Sequence, residues 1–320
     1  MKKILTKLGI FIFILLLAAY IFMSWFFSGL MLRPDGEKRT DKIAILQDIR
    51  ENGAKVGSSM AGISMKYKDF EVETVDGITL KGWHFSESDT PTCAVVLMHG
   101  WSDTRIGVMR YAHVFDSCGC DMVIYDHRAH GESTGDFVGG GDLEKNDLLA
   151  VTDWLKEKTD LSDKQIGWVG VSWGGATVLE AGGSGRDMAF IWSDAPFQDW
   201  HTAVFERAIR DYGSWVNILP FGVYTAYNMR TGFHPREANA AEAAKNIKAP
   251  VFLFHSKADE ATDSQQSVNI NKNLDPENTV FYHAEWGALH GKDITENKEK
   301  YTALFYEFMK IHSPNFGKCQ

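Results

Sequence analysis

The residues Gly170-Val171-Ser172-Trp173-Gly174 stand where an apolar run, 165–171, stops and a run of small residues begins. A serine hydroxyl is a weak nucleophile at neutral pH and needs a base within hydrogen-bond reach. A sharp strand-to-helix bend would lift such a serine clear of a sheet, and the flanking glycines relieve the crowding of the bend. The pattern G-x-S-x-G alone occurs by chance. Its position between an expected strand and the expected helix "WGGATVLEAGG" makes Ser172 a candidate nucleophile rather than a turn residue.

A nucleophilic serine requires a base, an orienting acid and donors for an oxyanion. Of the eleven histidines, His290 lies in "WGALHGKD", between the last expected strand and the final helix. A loop of small residues there can carry an imidazole over the sheet edge. His255 also ends a strand but reads as structural, His283 lies within one, and His99 leads into Gly100-Trp101. Asp259, in "HSKADEAT", is the candidate acid, with Glu260 and Asp194 as competitors. The chain order Ser172, Asp259, His290 fits the Ser…Asp…His order of one known class of triad. The backbone N–H of Trp173, just after the serine, and that of Trp101, in the turn "HGWSD", are the expected oxyanion donors. The chemistry this set would perform is two-step acyl transfer through an acyl-enzyme, with no metal or cofactor.

Elements able to hold these residues recur along the chain. "DFEVETVDGITLKGWHF" alternates on both sides of Asp76-Gly77, a hairpin signal. Short apolar runs at 93–99, 121–126, 165–171, 188–194, 249–255 and 278–284 are too apolar to be half exposed and read as buried parallel strands. Helices are expected near 104–116, 142–158, 173–182, 264–273 and 296–312. The class is α/β: a mostly parallel sheet of about eight strands opened by an antiparallel hairpin. Residues 195–248 hold no clear strand and many aromatic residues, and are expected to form a helical cap over the sheet's carboxyl edge; extra core is the competing reading.

The first 32 residues are of another kind. Lys2, Lys3 and Lys7 precede 8–32, which carry no charge. As a helix that run would span about 37 Å, enough to cross a hydrocarbon core of about 30 Å. It lacks a good cleavage site, so an uncleaved signal anchor is expected, with a cleaved signal peptide as the alternative. The basic start places the N-terminus in the cytoplasm and the remainder outside, tethered to the cell membrane by a single span. Residues 33–64 read as a linker with a helical piece near 41–52, and 65–315 as the catalytic domain. The net charge of −9 argues against a nucleic-acid partner. The four cysteines, Cys93, Cys118, Cys120 and Cys319, show no zinc or redox spacing and read as small apolar residues.

The motifs "LMHGWSD", "YDHRAHGES", "GVSWGG", "HSKADE" and "ALHG" together resemble the α/β-hydrolase-fold serine hydrolases, over about residues 65–315. The likeness is to membrane-anchored bacterial members of the Bem46 group and the serine aminopeptidase-like hydrolases. In the D-x-R-G-x-G-x-S stretch of such proteins, Asp126, Arg128, Gly131 and Ser133 match and Ala129 replaces the first glycine. Ser256 stands where glycine is common before the acid. The aromatic-rich cap and the membrane anchor favour an esterase, with thioesters as a further substrate, acting on a small acyl ester or lipid-like substrate. A peptidase or amidase of the same fold is the alternative. A non-catalytic, membrane-tethered binding protein on the same scaffold is the reading from another class.

Overall fold

The computed structural model describes residues 2–33, 67–86, 88–116 and 118–318. The helical piece expected near 41–52 lies outside them. Eight strands form one sheet in the order β1-β2-β4-β3-β5-β6-β7-β8. β1 (Tyr67–Glu73) and β2 (Thr79–Phe85) make the expected hairpin. Gly77, at φ 79°, takes the left-handed turn position that glycine occupies without strain. β2 joins β4 (Asp121–Tyr125) antiparallel. β3 (Ala94–Met98), β5 (Ile166–Val171), β6 (Phe190–Asp194), β7 (Val251–Ser256) and β8 (Thr279–Ala284) complete a parallel array with β4.

The sheet separates two apolar layers because successive strand residues face opposite sides. Ala94, Val96 and Met98 of β3 join one cluster, and Val95 and Leu97 the other. Both faces being covered explains why these strands read as unbroken apolar runs. On the first face lie α2 (Glu144–Thr159) and α3 (Trp173–Gly182), and only the C-terminal end of α1 (Lys2–Leu32) joins the same apolar cluster. Two helices follow β6: α4 (Trp200–Tyr212) and α5 (Pro220–Thr231). α4 is capped by the Asp199 carboxylate accepting from Thr202 N, and α5 starts on Pro220 and stops at Gly232, φ 78°. Two short helical turns, Ala240–Ala243 and Ala244–Asn246, lead into β7, so the segment without expected strands is helical. α6 (Gln265–Asn271) and α7 (Lys298–His312) complete the alternation. The helix expected over 104–116 is instead three short pieces, Arg105–Val108, Met109–Tyr111 and His113–Asp116.

The D-x-R stretch after β4 is a buried polar brace. Arg105 pairs with Asp126 at 2.6 Å, and Arg128 with Asp147 at 2.6 Å. Burial works to raise the Asp126 carboxyl, but Arg105 outweighs it and holds the group at about 2. Ala129 adopts φ 58°, the conformation for which glycine is favoured, so the substitution keeps the backbone shape at a local cost.

The cysteine expectation needs correction. Cys93 and Cys120 form a disulfide closing a sequence separation of 27. They sit one residue before two paired parallel strands, where Ala94 opposes Asp121, and this register brings the thiols together. Among the described residues no cysteine is free.

α1 is long and apolar enough to cross a membrane by length and composition. Its second half also packs against the insertion between β6 and β7. Phe27 meets Tyr212 edge-on at 4.9 Å, and Arg230 stacks on Trp25 at 4.7 Å. The Tyr20 hydroxyl accepts from Gly222 N at 3.0 Å. At the helix end, Leu32 O accepts from Val138 N.

Candidate active site

Ser172 is the residue between β5 and α3, with φ 57° and ψ −116°. A non-glycine residue held there costs about 1–3 kcal/mol, and the surroundings must over-determine it. Ser172 N donates to Asp194 O at 2.7 Å, and Ser172 O accepts from Ala176 N. The glycines act through space. A Cβ on Gly170 would lie 2.1 Å from Gly174 O, and one on Gly174 would lie 2.4 Å from Met98 O. Helix and sheet therefore approach more closely at the bend than any side chain permits. α3 is buried along its whole length.

Asp259 and His290 come together. His290 Nδ1 lies 2.5 Å from Asp259 Oδ2. The carboxylate is fully buried and the imidazole 26% exposed, so the acid is shielded while the base reaches the surface of the site. Asp259 Oδ1 accepts from Ala261 N and Thr262 N at 2.8 and 3.0 Å. Burial raises the Asp259 carboxyl, but the hydrogen bonds from His255 and His290 and the charge of His290 outweigh it and hold the group well below its ordinary value. Ser256 does not disturb this turn: it has no positive φ, and its hydroxyl accepts from Ala258 N.

The structure adds a group that sequence reasoning had set aside. His255 Nε2 lies 3.0 Å from Asp259 Oδ2 and 3.2 Å from Thr262 O, while its Nδ1 meets Ser267 Oγ at 2.6 Å. With two acceptors at Nε2, that nitrogen carries the proton, and Nδ1 accepts from the hydroxyl. A histidine ending the strand four residues before the acid was the available signal.

The competing acids stand elsewhere. Asp194 Oδ2 accepts from the Tyr111 and Tyr301 hydroxyls at 2.5 and 2.8 Å. Burial pushes its carboxyl up despite those bonds. Glu260 is exposed.

Two turns flank the serine. A Cβ on Gly100 would lie 3.4 Å from Ser172 Cβ, placing the His99–Trp101 turn beside the serine. A Cβ on Gly291 would lie 3.0 Å from Val171 Cγ2, which sets the His290 loop against the same bend. Among the described residues, neither Trp101 N nor Trp173 N donates to any backbone or side-chain acceptor, and Ser172 Oγ and His290 Nε2 have no hydrogen-bond partner. Unspent donors beside a strained serine are what an incoming oxyanion would use.

Aromatic rings cluster next to the serine. Trp101 lies 5.2 Å from Trp173 and 5.1 Å from Trp200, the first residue of α4. His127 stacks on Trp173 at 4.9 Å. Burial, reinforced by His130, lowers His127 to about 3, so the ring facing Trp173 is neutral. Among the described residues, no group of three or more His, Cys, Asp or Glu side chains could hold a metal ion.

The model of the prolyl oligopeptidase family matches residues 139–315. The Bacillus subtilis protein YqkD is 31% identical over 314 residues, 97% of each chain. The thiohydrolase aneE of Aspergillus aculeatus is 31% identical over 134 residues, 41% of this chain and 42% of its own. Among solved structures, a Pyrococcus furiosus esterase superposes with a TM-score of 0.62 at 24% identity, covering 78% of this chain and 94% of its own. A Pyrococcus horikoshii acylaminoacyl peptidase superposes at 0.58 and 22% identity, over 78% of this chain and 42% of its own. At such identities the superpositions speak for the α/β-hydrolase fold.

Proposed function

Because the chain belongs to the prolyl oligopeptidase family of α/β hydrolases, we propose that it is a serine hydrolase with Ser172, His290 and Asp259 as its triad. The observation that carries this is the buried Asp259 carboxylate held 2.5 Å from His290 Nδ1, on a loop that abuts the strained Ser172 bend. Asp259 fixes the tautomer with the proton on Nδ1, leaving Nε2 to take the proton from Ser172 Oγ. The serine then bonds to the substrate carbonyl carbon, and the N–H groups of Trp101 and Trp173 receive the oxyanion. His290 returns the proton to the leaving group, and a water, deprotonated by the same imidazole, releases the acid and restores Ser172.

The preferred substrate class is carboxylic esters, including thioesters. The tryptophan cluster next to the serine suits an apolar acyl or alcohol group, and the β6–β7 insertion forms the cap above it. The N-terminal helix is read as an uncleaved single-pass anchor, and the Cys93–Cys120 disulfide supports an extracytoplasmic domain, where disulfides persist. A peptidase is the second reading, favoured by the family's own description.

The test is labelling of the purified protein by a fluorophosphonate, alongside Ser172→Ala, followed by turnover of p-nitrophenyl esters and aminoacyl amides. Wild type should label, the variant should not, and esters should turn over faster. Labelling that persists in the variant removes Ser172 as nucleophile. Turnover confined to amides replaces esterase with peptidase, and no labelling of either protein favours a binding scaffold.

A further inference from the structure

The insertion over the site carries a surface unlike the rest of the domain. From Tyr212 to Met229 the chain has no charged residue. Some of its large apolar side chains pack inward, but others are open: Ile218 is 68% exposed, Phe221 81% and Met229 76%. Water is a poor neighbour for a charge-free surface of this kind, and such patches mark sites of interaction.

The position of α1 says what covers it. α1 and α5 lie side by side, with Tyr20 and Ser24 against Gly222 and with Trp25 and Ser28 against Arg230. If α1 spans the membrane, as proposed above, its basic end fixes the depth of everything packed on it. From Lys7 to Tyr20 the helix rises about 20 Å. Even from Lys2 the rise is only about 27 Å, against a hydrocarbon core of about 30 Å. Tyr20, and with it Gly222 and its neighbour Phe221, therefore lies below the far boundary of the core. Trp25 is about 27 Å from Lys7 and falls at the interface. Tyr212 and Trp215, which both meet Phe27, lie at the same belt.

We propose that the turn between α4 and α5, with the first turn of α5, is immersed in the acyl chains of the leaflet on the domain's side. Ile218 and Phe221 form its tip, and Tyr212, Trp215 and Trp25 its interfacial rim. The partner is the lipid bilayer itself, and the depth is that of a monotopic surface, about 5–10 Å. The inference rests on the reading of α1 as a membrane span.

The test places single cysteines at Phe221, Ile218, Phe13 and Lys164 of the full-length protein, each carrying an environment-sensitive fluorophore. The proteins are reconstituted in phosphatidylcholine–phosphatidylglycerol vesicles containing a lipid with a nitroxide on its acyl chain. Phe13 reports the apolar run of α1, and Lys164 is an exposed control on the domain. Probes at 221 and 218 should be quenched at least about threefold more than the probe at 164, approaching the probe at 13. Quenching at 13 with 221 and 218 no more quenched than 164 overturns the immersion and leaves the anchor standing. A probe at 13 that is not quenched overturns the anchor, and the immersion with it.

Discussion

Replacing Asp259 by asparagine changes the charge of the buried acid with little change in its shape. Asp259 Oδ2 accepts from His290 Nδ1 and His255 Nε2, and Oδ1 from two backbone N–H groups. An amide cannot satisfy both sides. Whichever way it turns, its NH2 faces two donors. On the proposed triad an imidazolium forms on His290 when Ser172 attacks, and the kinetic loss follows from it. Unit charges about 4 Å apart interact by about 4 kcal/mol at an effective dielectric of about 20. Losing that interaction in the transition state lowers kcat/KM by about 10³-fold. The assay is ester hydrolysis at pH 7.5, with fluorophosphonate labelling to follow Ser172 reactivity and thermal unfolding to verify the fold. Stability also responds. The folded carboxyl lies below its ordinary value of 3.8, so its contribution is complete above that pH and is lost as pH falls through the lower folded value. The variant should be less stable than wild type at neutral pH, and the gap should close in strong acid. Asp194→Asn is the control, since Asp194 is held by Tyr111 and Tyr301 rather than by His290. A folded Asp259→Asn protein that keeps more than about one tenth of wild-type kcat/KM refutes the assignment. So does an Asp194→Asn protein that loses more activity than it.

Gly174→Ala would put a methyl 2.4 Å from Met98 O. The bend must shift, and steady-state assays should find activity down about 10²-fold, the loss expected when reacting groups move by about 1 Å. The double variant Cys93→Ala/Cys120→Ala opens a loop of 27 residues' separation. Denaturant unfolding should show a loss of about 3.5 kcal/mol on the chain-entropy account, with kcat unchanged; an unchanged unfolding midpoint contradicts the bridge.

Strands β3 to β7 were legible because burial on both faces keeps them mostly apolar, and the hairpin because Asp76-Gly77 forces a turn; β8, expected to be buried, is only part-buried from Thr279 to His283. The Ser172 bend was legible because the G-x-S-x-G pattern is local, although only Gly170 is demanded by a near neighbour and Gly174 is demanded by Met98 O from the adjacent strand. The Asp259–His290 pair could be proposed from order along the chain, because strand ends deliver both loops to one edge of the sheet. What escaped depends on proximity across the sheet. Cys93 and Cys120 meet only through the register of β3 and β4, and no local pattern announces that pairing. His255 looked structural because its role is exerted through another residue: it donates to the acid rather than reaching toward the serine. The stretch 104–116 carries helical residues, yet its side chains serve the buried brace and the layer beneath α7, and the helix breaks into three.

The contact between α1 and α5 is built from small and polar residues, as helix crossings in membranes often are. Ser24, Ser28 and Gly29 on one side meet Gly222 and Arg230 on the other, and a methyl on Gly222 would lie 2.1 Å from Ser24 Oγ. Small residues at a crossing let backbones approach closely without relying on water to drive the contact. α1 is therefore one wall of the hydrolase and not a detachable tether. A version cut after Leu32 would lose Phe27, Met31 and Leu32 from its packing and leave Tyr212 and Trp215 without their partner. Such a shortened protein would draw detergent or a second copy onto that face, and the enzyme is best purified with its helix in place.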